Sequence, residues 1–179
     1  NVDGALGSAE DLLSGLLDIS RLDAGGMAPN PQAFRLDELL QHLVAEFGVL
    51  AAQKGLALGH VPSRAWVHSD PQLLRRVLQN FLGNAVRYTA RGRILVGCRR
   101  EGQFLRIEVH DQGPGIPDEF RQQIFQRFAQ ADSSDRRQKG GTGLGLAISK
   151  ELIERMGGTI GYLDNPAGGA CFYFDLAVL

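Results

Sequence analysis

Residues 140–146 read Gly140-Gly141-Thr142-Gly143-Leu144-Gly145-Leu146, and the fold turns on what flanks this run. Glycines lack a Cβ, so the backbone comes close to a ligand and turns successive N–H groups inward. The helical pattern that begins immediately afterwards aims the positive end of a helix dipole the same way. A phosphate cradle is built like this. No Gly-Lys-Ser/Thr follows and no strand directly precedes the run, so it is not a Walker A loop. Its spacing and polar lead-in also depart from the dinucleotide fingerprint. Taken alone, the run fits a flexible loop at a helix start equally well.

Upstream, Asp70–Ala90 predicts a long helix, with Asp70 as cap and Pro71 at the first position. Leu74, Leu78, Phe81 and Ala85 form its buried stripe, and Asn80, Asn84, Arg87 and Tyr88 form a row along one flank. Amides are poor helix formers, so two at i and i+4 beside a core stripe ask for a reason. Mg²⁺ takes few protein oxygens and keeps its waters and substrate phosphates, so one amide oxygen suffices for it. A solvated helix face is the plainer reading of the same row.

Asp111-Gln112-Gly113-Pro114-Gly115-Ile116-Pro117 directly follows a predicted strand. A carboxylate there accepts a hydrogen bond from an exocyclic amine of a purine, and the two glycines keep a pocket wall thin. An ordinary Asp-Gly-Pro turn is the alternative. Ile124-Phe125-Gln126-Arg127-Phe128 predicts a short helix with two aromatics. The polar stretch Gln130–Lys139, with Ser133, Ser134, Arg136 and Arg137, has almost nothing to pack and reads as a lid.

The remaining segments complete an α/β chain. Ser8–Leu22 is a helix with Leu12, Leu13, Leu16, Leu17 and Ile19 as its apolar stripe, closed by Gly25 and Gly26 and kept closed by Pro29 and Pro31. So wide an apolar face asks for a partner helix, which dimerisation supplies. Ala33–Leu36 reads as a strand entering a helix at Asp37–Gln53, with Leu39, Leu40, Leu43, Val44 and Phe47 inward. Strands follow at Leu56–Val61, Trp66–His68, Arg93–Cys98 and Phe104–His110. A helix ends near Met156, and Thr159–Leu163 and Ala170–Val178 form a closing hairpin through Pro166–Gly169. The order predicts a two-layer α/β (α+β) sandwich, with helices on one face of a mixed sheet.

Composition sets bounds on function. The 179 residues are 44% hydrophobic and 22% charged, enough for one core, and the net charge of −1 gives no general reason to expect nucleic acid or an acidic membrane as partner. Cys98 and Cys171 form no Cys-x-x-Cys pair, which predicts two reduced thiols in a cytoplasmic domain. No apolar run approaches a membrane span and no signal peptide opens the sequence, so no membrane contact is expected. The abrupt helical start predicts a piece of a longer protein.

In this order, the motifs resemble the ATP-binding domain of sensor histidine kinases, within the wider group of DNA gyrase B, Hsp90 and MutL. Arg76–Thr89 looks like that family's N box, Asp111–Gly115 its G1 box, Phe125–Phe128 its F box and Gly141–Leu146 its G2 box. Leu12–Gly25 is similar to the end of its dimerisation hairpin, and hybrid kinases feeding phosphorelays are the nearest subclass. The resemblance implies the Bergerat sandwich over 29–179 and the end of the dimerisation and phosphotransfer hairpin over 1–28. It implies that Asn84 holds Mg²⁺ on ATP with Asn80 beside it, both counted with the catalytic machinery. Arg87 would contact phosphate, and Tyr88 would line the nucleotide. Asp111 would bond the adenine amino group in a pocket shaped by Gly113 and Gly115. Gly141, Thr142, Gly143, Leu144, Gly145 and Leu146 would hold the triphosphate, while Phe125 and Phe128 anchor the lid. A response-regulator receiver domain is the implied partner, with homodimerisation through the hairpin.

Two departures qualify that picture. Many members carry a basic residue just past the F box, where this chain has Gln130; Arg136, Arg137 or Lys139 could substitute. No histidine lies in a His-Glu/Asp-x-Arg setting, and His42, His60, His68 and His110 read as surface or strand residues. The resemblance therefore implies a chain that binds ATP without phosphorylating itself. A non-kinase ATPase of the same fold and a degenerate nucleotide- or partner-binding module are the alternatives.

Overall fold

The long helix forms where its cap predicts. Asp70 sits in extended backbone, and its carboxylate accepts hydrogen bonds from the amides of Gln72 and Leu73 at 2.9 and 3.2 Å. Pro71 contributes no N–H that needs a partner there. A computed structural model describes residues 2–127, 144–166 and 168–178. Phe128, the predicted lid Gln130–Lys139 and the Gly140–Gly143 half of the glycine run lie outside the described residues.

In chain order the elements are α1 (Val2–Asp23), β1 (Gln32–Arg35), α2 (Leu36–Gln53), β2 (Ala57–His60), β3 (Trp66–Ser69) and α3 (Pro71–Tyr88). They continue with β4 (Arg93–Glu101), β5 (Phe104–His110), α4 (Gly145–Arg155), β6 (Thr159–Asp164) and β7 (Ala170–Ala177). Five strands make one sheet in the order β2-β4-β5-β7-β6, with β2 parallel to β4 and every other pair antiparallel. The mixed sheet is as expected, but it does not take every strand. β1 and β3 pair with each other antiparallel, from Gln32 opposite Ser69 to Arg35 opposite Trp66, as a separate ribbon.

That core face is written by period-2 alternation. Ile94 and Val96, Leu105, Ile107 and Val109, and Phe172, Phe174 and Leu176 are all buried. The Phe81 ring of α3 packs on Phe172 and Phe174, with centroids 5.6 and 6.1 Å apart. Each fully buried side chain of this size is worth about 1.5–3 kcal/mol, so α3 is held mainly through Leu74, Val77, Leu78, Phe81 and Leu82, a wider stripe than expected. β4 runs to Glu101, past the expected Cys98, because the Gly102 turn (φ 61°) lets Cys98–Glu101 keep pairing with β5.

The segment ahead of the lid differs from expectation. Only Asp118–Phe120 is helical, as one 3-10 turn, and residues 121–127 are successive turns instead of a short helix. Phe125 still packs against the core.

Helix α1 docks through a face the leucine stripe did not announce. Gly15, Asp18 and Leu22 are buried, whereas Leu12, Leu13, Leu16 and Leu17 are 39–60% exposed. A Cβ on Gly15 would stand 2.8 Å from Leu144 Cδ1, so the glycine permits the close approach to α4. Asp18 pairs with Arg76 of α3, and Arg155 donates to the Leu22 carbonyl at 2.8 Å.

Candidate functional site

Four elements enclose one pocket under the helical layer. Its lining includes Asn84 and Tyr88 from α3, Asp111, Gly115 and Ile116 from the loop after β5, Leu146 from the first turn of α4, and Phe172 from β7. Six of the residues expected at a nucleotide site therefore meet or adjoin one cavity, although they span positions 84 to 146: Asn84, Tyr88, Asp111, Gly113, Gly115 and Leu146.

Asp111 is the polar centre of this pocket and is 6% exposed. Its Oδ1 accepts from the amides of Gly113 at 2.9 Å and Ala170 at 3.2 Å, while its own N–H donates to the Ala170 carbonyl at 2.9 Å. The carboxylate is thus oriented by backbone from both the loop and β7. Gly113 and Gly115 do what a thin wall requires. A Cβ at 113 would meet the Tyr88 carbonyl at 3.0 Å, and Gly115 adopts φ +73° with the Tyr162 hydroxyl 3.2 Å from its would-be Cβ.

Asn84 and Arg87 stand together at the other end, with Arg87 Nη1 3.5 Å from Asn84 Oδ1. Lys54, the cap residue after α2, braces the end of α3 by donating to the Val86 and Arg87 carbonyls at 2.5 and 3.2 Å. Asn80 is placed differently. Its amide donates to the Gly145 carbonyl at 3.1 Å and to Ser149 Oγ at 3.0 Å, fastening α3 to the first turn of α4. Leu144 is buried and precedes α4 as its cap residue; Gly145 opens the helix and Leu146 lines the pocket. Gly141, Thr142 and Gly143 lie outside the described residues.

The structure adds residues that carry no motif. Gly169 has φ +102°, and a Cβ there would fall 2.1 Å from the Asp111 carbonyl oxygen, so the β6–β7 turn seats directly against the loop. The Tyr162 hydroxyl accepts from the Ile116 amide at 2.8 Å and donates to Asp164 Oδ1 at 3.2 Å. Burial pushes that phenol above its ordinary value, which keeps its proton on. Arg121 grips both Asp164 oxygens at 2.7 Å, and its hydrogen bond holds the exposed Asp164 carboxyl below the usual range. Gly169 alone left a sequence signal, in the Gly-Gly pair of the hairpin.

The histidines divide. His42 and His68, the latter on β3, are exposed, but His60 and His110 are half-buried strand residues beside buried carboxylates, 3.5 Å from Asp37 and 2.5 Å from Glu108. Cys98 and Cys171 are free thiols. No helix among the described residues is long and apolar enough to cross a membrane.

The donor set fits a nucleotide with its metal. Apolar walls from Ile116, Leu146 and Phe172 suit a flat base, the buried Asp111 carboxylate suits its amino group, and the Asn84 amide with Arg87 suits a metal-bound phosphate chain.

Comparison with known proteins gives the family. Residues 69–178 match the family described as histidine kinase-, DNA gyrase B-, and HSP90-like ATPase. The sensor protein GacS of Pseudomonas syringae pv. syringae is 39% identical over 180 residues, covering 94% of this chain and 20% of the relative. The signal transduction histidine-protein kinase BarA of Escherichia coli K12 is 33% identical over 175 residues, covering 92% of this chain and 19% of the relative. The crystal structure of full-length ShkA in complex with AMPPNP superposes with a TM-score of 0.78 at 31% identity, over 94% of this chain and 36% of that one. The chain belongs to the histidine kinase-, DNA gyrase B- and HSP90-like ATPase family, as an ATP-binding catalytic domain of the sensor histidine kinase type. It spans about a fifth of the length of the curated relatives it matches.

Proposed function

We propose that this domain binds Mg²⁺–ATP and presents the γ-phosphate to a histidine outside the chain, for relay to a receiver-domain aspartate. The observation that carries the reading is Asp111, a buried carboxylate held by the Gly113 and Ala170 amides in an apolar-walled pocket. Asp111 bonds the adenine amino group, Tyr88 and Leu146 flank the nucleotide, and Asn84 supplies the oxygen for Mg²⁺ with Arg87 beside it. Asn80 acts by holding the first turn of α4, whose N–H groups and dipole meet the phosphates together with Gly141–Gly143.

Phosphoryl transfer needs positioning and charge neutralisation more than covalent help from the protein. Mg²⁺ held at Asn84 would supply neutralisation of the triphosphate charge. The domain's own contribution is to fix the nucleotide between Asp111 and Asn84. The chain from 29 onward is the catalytic unit, and 1–28 closes the hairpin that carries the acceptor histidine and pairs two copies. The parent protein is read as a hybrid kinase with this domain in the cytoplasm.

Calorimetric titration with ATP, with and without Mg²⁺, tests the site. Asn84→Asp and Asp111→Ala are expected to abolish binding while unfolding remains cooperative, and wild-type affinity in either variant contradicts the assignment. Mixing the chain with a separately prepared hairpin bearing the acceptor histidine tests the transfer. Labelled γ-phosphate should appear on that hairpin.

A further inference from the structure

On the face of the sheet away from the helices, three side chains meet that the nucleotide site does not use. Glu108 and His110 stand two apart on β5, and Cys171 is the cross-strand partner of His110 on β7, so alternation points all three to one side. His110 Nε2 lies 2.5 Å from Glu108 Oε2, and Cys171 Sγ lies 3.6 Å from that nitrogen and 3.8 Å from that oxygen. Arg99 Nε donates to the other Glu108 oxygen at 2.6 Å. Glu108 and Cys171 are 7% and 2% exposed, whereas the His110 side chain, at 34%, opens the cluster to solvent.

We propose that Glu108, His110 and Cys171 form a binding site for a borderline-soft divalent cation of the Zn²⁺ class, independent of the nucleotide pocket. Thiolate, imidazole and carboxylate are the ligand types such cations select, while Mg²⁺ and Ca²⁺ prefer all-oxygen sets. The spacing agrees. Tetrahedral Zn²⁺ with bonds of about 2.0–2.3 Å keeps its ligand atoms about 3.3–3.7 Å apart. Both sulfur distances already lie close to that range, and only the Glu108–His110 pair must open, which a cation between them would do. Three protein ligands leave a fourth position for water.

The surroundings supply what a metal site needs beyond its ligands. Arg99 fixes the Glu108 carboxylate from behind, leaving the second oxygen to the cluster. Cys171 is a buried thiol, and it must give up its proton to ligate. Binding forms the metal–sulfur bond and releases that proton to water. The next residues inward, Asp111 and Ala170, are hydrogen-bonded to each other on the nucleotide side, so the site backs directly onto the pocket floor.

The test uses the untagged chain, stripped with chelator and free of nucleotide and Mg²⁺. Titration with Co²⁺ should saturate at one ion per chain, with a near-ultraviolet sulfur-to-metal charge-transfer band and the visible bands of tetrahedral cobalt, all displaced by Zn²⁺. Cys171→Ser should remove the charge-transfer band, and His110→Ala should weaken Co²⁺ binding roughly tenfold or more. Cys98→Ser, whose thiol lies on the opposite face, should leave the spectrum unchanged. Circular dichroism verifies that each variant is folded, and wild-type titration decides independently of the variants. No saturable cobalt spectrum with a sulfur band, a band that survives Cys171→Ser, or one lost in Cys98→Ser overturns the proposal.

Discussion

The side-chain amide of Asn80 donates to the Gly145 carbonyl at 3.1 Å, joining the middle of α3 to the first residue of α4 across 65 positions of sequence. Ser149 Oγ shares the same carbonyl at 2.8 Å and accepts from Asn80 at 3.0 Å, which closes a three-membered polar junction. Removing the amide leaves Gly145 with the serine alone. Asn80→Ala should therefore cost about 1–2 kcal/mol in urea unfolding. ATP affinity should drop severalfold with its Mg²⁺ dependence intact, because α4 loses its anchor but Asn84 keeps its oxygen. Loss of Mg²⁺ dependence in this variant would make Asn80 a ligand rather than a positioning residue.

Asp111 offers a sharper substitution than removal. In Asp111→Asn the amide oxygen can still accept from Gly113 and Ala170, so stability should change by under about 1 kcal/mol. The second oxygen becomes an N–H donor, which repels an exocyclic amine. ATP affinity should fall by roughly 10- to 100-fold, the worth of a hydrogen bond to a charged group. Calorimetry of ATP against the folded variant measures it.

Gly169 tests the turn that seats on Asp111. Its φ of +102° disfavours any side chain, and its would-be Cβ lies 2.1 Å from the Asp111 carbonyl oxygen. Gly169→Ala should destabilise by about 1–3 kcal/mol and also weaken ATP binding, since the displaced group is the backbone that orients the carboxylate. Gly168→Ala, at φ +96° with open space around it, should show the backbone strain while leaving ATP affinity near wild type.

The docking of α1 should depend on pH. Arg127 Nη2 donates to Asp23 Oδ1 and Glu151 Oε1, each at 2.9 Å, linking the end of α1 to α4. The Arg127 hydrogen bond holds the Asp23 carboxyl below its ordinary 3.8. A depressed acid contributes at pH above its unfolded value and loses that contribution as pH falls through its folded value. The pair is exposed, so its strength should also fall with salt. Hydrogen exchange of α1 amides, corrected for intrinsic rate, should quicken relative to α3 below about pH 4 and in Arg127→Ala at neutral pH. Equal protection of α1 in wild type and Arg127→Ala at neutral pH would show that the clasp contributes nothing.

Much of this was legible because it is local. The Asp70-Pro71 cap, the α3 stripe and the Asp111–Gly115 turn each bond within a few residues, so short-range spacing announces them. Asn84 and Tyr88 were found because a row at helical spacing shares one flank. What escaped was long-range. The Tyr162–Ile116 bond spans 46 positions, and the Ala170–Asp111 bond spans 59. The β1–β3 ribbon and the seat of Gly169 likewise exist only once the chain has closed on itself.

Helix α1 states the division most plainly. Its leucines made it amphipathic on sequence alone, because side chains three and four apart must share a face. Which face docks was decided by Gly15 against Leu144 and by Asp18 against Arg76, contacts that depend on α3 and α4 already being in place. The glycine run is divided in the same way. Its composition alone determined that backbone could approach a ligand at Leu144–Leu146. Only the tertiary structure brought Asn84, Tyr88 and Asp111 to that spot, because distant residues meet through packing of the sheet and helices and not through spacing along the chain.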